Sequence, residues 1–400
     1  MKFIHTADLH LDSPFLGLRN TPTDLQTQIM QSTFVAFERL VTNAIESQVD
    51  FIVIAGDIYD RDEHSIQAEN FFIQQCEKLK VHDIKVYLSY GNHDYQQVND
   101  ANSLLPDNVY VFGNQVETKQ LTTSDGTSVA ISGFSYDSRW ITDDRTNEYP
   151  SKAQVDLQIG MLHGMVSGSK ENHANYAPFK LAELTAKGYD YWALGHIHKR
   201  EVLSENPWII YSGNTQGRHK NEPGEKGYYQ VELKNGHLVP EFVAIAPIVW
   251  TSLSIELDST NTAAELQLLL LKKLEAQLST RTQLVQIILK GDTIASNLDD
   301  NVESGLLLGQ LQRSIVSTKL TTVWPVKIKI ETTNQLPTLM SLDQEYWQAA
   351  AQQVFTKTTL DQVAEKLFKT QFIDDEFNNY DALDDLKQQV LLEFNARGEK

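Results

Sequence analysis

The chain has 400 residues, of which 41% are hydrophobic and 22% charged, a composition typical of a globular protein and not of a disordered one. This length exceeds what one ordinary core accommodates, so two or three domains are expected. The formal net charge of −19 argues against an extended basic surface, so binding to a polyanion would need bound cations, clustered Arg and Lys, or a partner protein.

Short apolar runs alternate with helical patterns over residues 1–245, which predicts a layered α/β domain. Phe3 and Ile4 open the first strand, and apolar residues at helical spacing predict helices over residues 29–45 and 66–79. Because strands outnumber helices after residue 105, a sandwich of two sheets flanked by helices is favoured over a doubly wound sheet. The further strands are predicted at residues 51–57, 84–91, 109–113, 128–134, 157–164, 189–196, 207–213 and 226–233.

A second, smaller α/β domain is predicted over residues 246–335. It combines a strand-like run at 248–257 with a strong helical pattern at 263–278 and further strand-like runs at 282–291 and 323–331. The remaining residues, 336–400, are helical in pattern and acidic, so they are predicted to form a helical C-terminal segment.

Polar clusters follow directly after five of the predicted strands. The carboxyl ends of strands in open α/β sheets are where ligands gather. A single cluster has an ordinary explanation, because Gly-Asn is common turn chemistry and one histidine after a strand is unremarkable. Five clusters in one chain favour a common site. They contain Asp8 and His10; Asp57, Asp60 and Arg61; Asn92, His93 and Asp94; His163; and His196 and His198.

Metal binding accounts for these residue types. In Asp8-x-His10 both side chains lie on the same side of an extended chain, because strand side chains alternate with a period of two. Carboxylate, imidazole and amide ligands without thiolate suit Mn²⁺, Fe or Zn²⁺. The candidate ligands other than His93 outnumber the needs of one ion, which favours two ions about 3.5–4 Å apart.

The ordered motifs D-x-H, G-D-x-x-D, G-N-H-D, H-G and G-H-x-H resemble those of the calcineurin-like metallophosphoesterase superfamily. The segments "FIHTADLHLDSPF" (3–15) and "YSGNTQGRHKNEPGEKG" (211–227) are similar to its bacterial DNA-repair exonuclease branch, the SbcD-like and YhaO-type proteins. The motifs cover about the first 230 residues. The resemblance implies a four-layer αββα sandwich as the catalytic domain.

The resemblance also implies a role for each residue. His93 would stand over the site and stabilise or protonate the leaving oxygen, with the Asp60 carboxylate orienting its ring. A hydroxide held between the ions would attack phosphorus. Asp8, His10 and His198 would bind the first ion; Asn92, His163 and His196 the second; and Asp57 would bridge both.

Three further residues are candidate substrate contacts. Arg218 and His219 are plausible partners for a substrate phosphate. Arg61 either contacts phosphate or pairs with the neighbouring Asp62 or Glu63.

The function expected from these features is a dinuclear phosphodiesterase, a DNA exonuclease or endonuclease in DNA repair, with Mn²⁺ preferred and Fe or Zn²⁺ as alternatives. The metal chemistry rests on the ligands, whereas the DNA substrate rests on the resemblance. A phosphatase or small-nucleotide phosphodiesterase would use the same site. A non-catalytic scaffold for an SMC-like ATPase is a third alternative, against which the complete set of expected ligands argues.

Partners and location follow partly from the resemblance. It implies a coiled-coil, SMC-like ATPase subunit bound through C-terminal helices, and a homodimer. The apolar stripes at residues 346–355 and 383–394 would suit such docking, although packing on their own domain explains them equally well. No apolar run approaches the roughly 18 residues that span a bilayer, the N-terminus lacks a secretory core, and one cysteine, Cys76, forms no intramolecular disulfide. A cytoplasmic location is therefore expected.

Overall fold

The structure is a computed structural model in which the chain divides into two compact units. The first comprises Met1–Ser254, Ala263–Ile288 and Asn301–Lys329, and the second comprises Ile255–Thr262, Leu289–Asp300 and Ile330–Lys400. The predicted domain boundaries near residues 245 and 335 stay predictions. The structure describes residues 1–15, 18, 20–60, 65–95, 104–167, 176–257, 263–291, 296–318, 320, 322–332, 350–351, 353–368, 386–387 and 390.

The described elements are numbered in chain order. The strands are β1 (Lys2–Thr6), β2 (Phe51–Ala55), β3 (Lys85–Ser89), β4 (Val109–Val111), β5 (Glu117–Thr122), β6 (Ser128–Gly133), β7 (Leu157–His163), β8 (Tyr191–Gly195), β9 (Glu201–Glu205), β10 (Trp208–Tyr211), β11 (Gly227–Lys234), β12 (His237–Ala244), β13 (Ile248–Glu256), β14 (Thr282–Gly291) and β15 (Val323–Thr332). The helices are α1 (Thr23–Met30), α2 (Ser32–Glu46), α3 (Ile66–Val81), α4 (Leu181–Ala186), α5 (Ala263–Glu275), α6 (Ser296–Glu303), α7 (Leu306–Thr318) and α8 (Lys357–Phe368), with a short 3-10 helix at Thr146–Glu148.

Two six-stranded sheets form the body of the first unit. Their strand orders are β12–β11–β1–β2–β3–β4 and β5–β6–β7–β8–β10–β9. Strands β1, β2, β3 and β4 run parallel to one another, as do β6, β7, β8 and β10, while β11, β12, β5 and β9 pair antiparallel with their neighbours. A third sheet has the order β13–β14–β15.

The two large sheets pack face to face through buried apolar side chains. The Phe3 ring stacks on Phe51 at 5.1 Å between ring centroids and meets Tyr191 of the other sheet edge-on at 5.3 Å. Because strand side chains alternate, the neighbouring residues point to the outer faces. Helices α2 and α3 cover one outer face, where Phe37 and Phe72 belong to the same buried cluster as residues of β1, β2 and β3. The predicted two-sheet sandwich flanked by helices is confirmed.

Several elements differ from the sequence prediction. The helix predicted over 29–45 is two helices, α1 and α2, which meet at Gln31. The predictions omitted β5, β9 and β12 as well as α4, α6 and α7. The omitted strands β5, β9 and β12 lie at sheet edges. The side chains of β5 and β9 are largely exposed and no apolar run marks these two strands, whereas β12 contains apolar residues that the prediction did not use.

The carboxyl ends of β1, β2 and β3 meet at one edge of their sheet, because these strands are parallel. The parallel strands β7 and β8 likewise end together. The two edges are adjacent, since the His163 ring at the end of β7 hydrogen-bonds to the carbonyl oxygen of Ala55 at the end of β2. Among the described helices, none has the length and apolar character needed to cross a lipid bilayer.

Candidate metal centre

The loops that follow β1 and β2 are tied together by backbone hydrogen bonds. The Asp8 amide donates to the carbonyl of Gly56 at 3.0 Å, and the His10 amide donates to the carbonyl of Asp57 at 3.1 Å. Asp8, His10 and Asp57 have left-handed backbone, with φ of 52°, 44° and 52°, and His196 has a φ of 93°. Left-handed backbone costs a non-glycine residue roughly 1–2 kcal/mol, so surrounding contacts must hold these residues in place.

Four predicted ligands converge after β1, β2 and β8. One ligand atom from each of Asp8, His10, Asp57 and His198 lies within 4.8 Å of the others. The Nε2 atoms of His10 and His198 are 3.0 Å apart. Asp8 Oδ2 and His10 Nδ1 are buried without a hydrogen-bond partner among the described residues. A buried carboxylate oxygen left without a partner is costly, and a bound cation would satisfy it.

The other three predicted ligands form an adjacent group. Asn92 Oδ1 lies 2.9 Å from His163 Nε2 and 3.1 Å from His196 Nδ1. Asp57 connects the two groups, because its Oδ2 atom is 3.5 Å from His163 Nε2 and 3.8 Å from His10 Nε2. The oxygen and nitrogen donors of both groups fit divalent ions such as Mn²⁺, Fe and Zn²⁺.

Two glycines allow the strand ends to approach this closely. A Cβ atom on Gly91 would lie 2.2 Å from Asp57 Oδ1, and one on Gly195 would lie 1.8 Å from the carbonyl oxygen of Ala55. Both distances are far below van der Waals contact. Glycine is therefore required at both positions by the close packing between the chain segments that carry the ligands.

Burial and neighbouring charge set the protonation of the cluster. Burial and the Asp57 carboxylate raise the pKa of Asp8 well above its ordinary value. Burial alone would raise the pKa of Asp57 too, but His163 and His93 outweigh it, and the pKa of Asp57 is lowered. Burial lowers the pKa of His10 and His196 far below the ordinary histidine value. The imidazoles are therefore neutral at pH 7, which is the form that binds metal.

His93 is positioned differently from its neighbour Asn92. Its backbone amide donates to Asp57 Oδ1 at 3.0 Å, and its ring meets that of His10 edge-on at 5.0 Å. Its Nδ1 donates to the backbone carbonyl of Asp60 at 2.8 Å. This corrects the prediction that the Asp60 carboxylate orients the ring. The carboxylate instead pairs with the Arg218 guanidinium, which leaves the carbonyl to hold His93.

The predicted substrate contacts have different surroundings. Arg218 Nη2 lies 3.4 Å from His198 Nδ1, which places this guanidinium beside the first group of ligands. The His219 side chain is 42% exposed, and its Nε2 is 3.3 Å from Glu222 Oε1. Arg61 lies outside the described residues. Phosphate binding by these three residues stays a prediction.

Sequence reasoning missed two residues that contact the cluster. The Glu222 carboxylate is buried and accepts a hydrogen bond from His198 Nδ1 at 2.6 Å. The Tyr176 ring lies 4.5 Å from that of His196 between centroids. Glu222 falls in the segment 211–227 that carries the family resemblance, and this position is the one signal by which it could have been found.

Asp94 supports the turn after β3. Its carboxylate accepts hydrogen bonds from the backbone amides of Gly91 at 2.7 Å, Ile58 at 2.6 Å and Tyr59 at 3.3 Å. Burial and the nearby Asp57 raise the pKa of Asp94 to about 8. The side chain joins the loops after β2 and β3.

Comparison with known proteins adds independent information. The sequence profile described as calcineurin-like phosphoesterase matches residues 1–200. The chain is 40% identical over 271 residues to the uncharacterized metallophosphoesterase YhaO of Bacillus subtilis, which covers 67% of this chain and 66% of that protein.

More distant similarity extends to archaeal proteins named DNA double-strand break repair protein Mre11. Identity is 25% over 274 residues for the Methanopyrus kandleri protein, covering 61% of this chain and 57% of that one. For the Methanocaldococcus jannaschii protein it is 26% over 253 residues, covering 60% and 64%. The chain thus spans less than two-thirds of the length of each of these relatives. A crystal structure of a dimetal phosphatase from Danio rerio aligns with a TM-score of 0.38 and 11% identity, covering 62% of this chain and 98% of that chain.

Proposed function

The chain belongs to the calcineurin-like phosphoesterase family, and on that premise we propose that it is a DNA nuclease that uses two divalent ions. The observation that carries the proposal is the position of Asp57. Its carboxylate lies between two groups of oxygen and nitrogen ligands, 3.5 Å from His163 Nε2 and 3.8 Å from His10 Nε2. This is the arrangement that a pair of ions sharing one carboxylate needs.

Each group of side chains would hold one ion, and Asp57 would contact both. Two ions so placed supply a nucleophile at neutral pH and offset negative charge on the reacting phosphoryl group. The protein's contribution is to hold the donors in position within a buried site, where electrostatic interactions are stronger than in water. The first group comprises Asp8, His10 and His198, and the second comprises Asn92, His163 and His196.

His93 would assist departure of the leaving oxygen. Because a carbonyl oxygen only accepts hydrogen bonds, the contact with Asp60 places a proton on His93 Nδ1. The remaining nitrogen, Nε2, is then the atom that can carry a proton to the leaving group. The hydrogen bond from the His93 amide to Asp57 keeps this ring beside the ligands.

The DNA substrate is supported by the relatives named as DNA double-strand break repair proteins. The net charge of −19 means that local charge must attract the polyanion. Bound dications, together with Arg218 beside the first group of ligands, would provide it. We take Mn²⁺ as the first ion to test because the mixed oxygen and nitrogen donor set suits it.

The test compares three substrates with the same Mn²⁺-loaded preparation: a duplex DNA end, bis-p-nitrophenyl phosphate and p-nitrophenyl phosphate. A nuclease cleaves the DNA and the diester, and chelation abolishes both activities. Cleavage of the small diester but not of DNA, even with a partner ATPase, would refute the nuclease proposal and favour a small-nucleotide phosphodiesterase. Preference for the monoester would indicate a phosphatase, and inactivity toward every substrate would indicate a scaffold.

We also propose that a coiled-coil, SMC-like ATPase binds the C-terminal segment and that the protein forms a homodimer. Most of the two docking segments predicted at 346–355 and 383–394 lies outside the described residues. Co-purification with such an ATPase, and its loss after truncation at about residue 336, would support the first proposal. Sedimentation of the isolated chain as a monomer at micromolar concentration would contradict the second.

A further inference from the structure

We propose that Glu222 is a positioning residue whose carboxylate orients His198 toward the first ion. Binding of the first ion, and not of the second, then depends on Glu222. Glu222 lies between β10 and β11, in a loop to which the sequence assigns no metal ligand. The inference rests on the two-ion site proposed above and concerns a residue outside its predicted ligand set.

The contact between Glu222 and His198 determines which ring nitrogen of His198 is available to bind metal. Glu222 Oε1 accepts a hydrogen bond from His198 Nδ1 at 2.6 Å. This leaves Nε2 as the ligand atom of His198, and Nε2 lies 3.0 Å from His10 Nε2 within the first group of ligands. A carboxylate on the far nitrogen of a metal-binding histidine fixes the tautomer, orients the ring and increases its basicity.

Glu222 is itself held rigidly. Its Oε2 accepts hydrogen bonds from the Arg218 backbone amide at 2.7 Å and from Asn214 Nδ2 at 2.8 Å. The residue is 7% exposed. These two hydrogen bonds and burial fix the position of the carboxylate within the loop.

The second group of ligands is supported in another way. His163 Nδ1 contacts the carbonyl oxygen of Ala55 at 3.0 Å, and His196 Nδ1 faces Asn92 Oδ1 at 3.1 Å. Within the described part of the chain, His198 is the imidazole of the cluster whose Nδ1 is hydrogen-bonded to a carboxylate. Loss of Glu222 should therefore weaken the first ion and leave the second nearly unchanged.

The experiment measures Mn²⁺ binding to chelator-treated full-length protein by isothermal titration calorimetry and by metal content after dialysis. Glu222→Gln keeps the shape of the side chain and removes its charge. The matched control is Glu225→Gln, which removes a carboxylate from the same loop. The Glu225 carboxylate pairs with Arg281, and its side chain is 44% exposed. The control should bind two ions, each with the same affinity as in the wild type.

For Glu222→Gln we expect one of the two sites to weaken about 10- to 100-fold, the usual effect of removing such a partner, while the other stays within about twofold. Glu222→Asp retains a carboxylate and should lose less, and it provides the same test if the glutamine variant fails to fold. Weakening of one site alone indicates that Glu222 positions His198. If Glu222 only supported the fold, its loss would weaken both sites together.

Three outcomes decide the matter. Selective loss of one site supports the inference. Unchanged binding, or an equal loss at both sites, overturns it while the two-ion site of the wild type stands. If the wild type binds fewer than two ions, the proposed function itself fails, and the inference fails with it.

Discussion

Replacement of Gly195 by alanine tests the close approach of the two sheets at the metal centre. The added Cβ would lie 1.8 Å from the carbonyl oxygen of Ala55 and 2.9 Å from His163 Nδ1, so β8 must move away from β2. Overpacking of this kind costs about 1–3 kcal/mol. The same carbonyl is the partner of His163 at 3.0 Å, and loss of that hydrogen bond adds about 1 kcal/mol.

The summed destabilisation of about 2–4 kcal/mol corresponds to a fall in melting temperature of roughly 4–16 °C, at about 2–4 °C per kcal/mol for a domain of about 150–250 residues. Differential scanning calorimetry of chelator-treated protein measures this shift. Because His163 is a predicted ligand of the second ion, Mn²⁺ binding should weaken as well.

Gly113→Ala is the matched control for this variant. Its Cβ would meet nothing closer than Glu117 Oε1 at 3.9 Å, so the stability should change by less than about 0.5 kcal/mol. If Gly195→Ala melts at the same temperature as Gly113→Ala and binds Mn²⁺ like the wild type, the strand ends do not approach as described and the reasoning is refuted.

Three further predictions concern individual side chains. His93→Ala should keep the wild-type metal content, measured by atomic emission. Its turnover should fall about 10²–10³-fold because a proton donor near the leaving group is lost. Loss of one metal equivalent would show that His93 is a ligand. Asp57→Ala should weaken both ions, since its carboxylate lies between the two groups, and retention of two tightly bound ions would contradict the bridging role. Burial lowers the pKa of His5 from 6.5 to about 3, so its ring stays neutral in the folded protein while the unfolded chain takes up a proton below 6.5. The resulting stability is complete above that pH and is lost as the pH falls, by about 1.4 kcal/mol between about pH 8 and about pH 5.5. His5→Gln should remove that part of the pH dependence, and unfolding curves with an unchanged pH dependence would contradict the assignment.

The predicted ligands can be read from the sequence because each follows a strand, and parallel strands end at a common edge. The spacing in Asp8-x-His10 does not act through strand alternation, because both residues lie beyond β1 and have left-handed backbone. The edge strands β5 and β9 are not predictable in this way, since their exposed, largely polar side chains leave no apolar run.

The contacts that orient His198 and His93 could not be predicted for a different reason. Glu222 is 24 positions from His198, and the carbonyl of Asp60 is 33 positions from His93. Their meeting depends on the path of irregular loops, which has no periodicity in the sequence. Similarly, the sequence analysis assigns the Asp60 carboxylate to His93, whereas in the fold this carboxylate pairs with Arg218.

The left-handed backbone of Asp8, His10, Asp57 and His196 has a consequence for laboratory evolution of this protein. Glycine adopts this conformation without the steric cost of a Cβ atom, so it relieves the backbone at every one of these positions. A screen that rewards heat resistance alone would therefore enrich glycine there and delete ligands one by one. Directed evolution of a more thermostable variant must select for metal binding together with melting temperature, because at these four positions the two properties favour different residues.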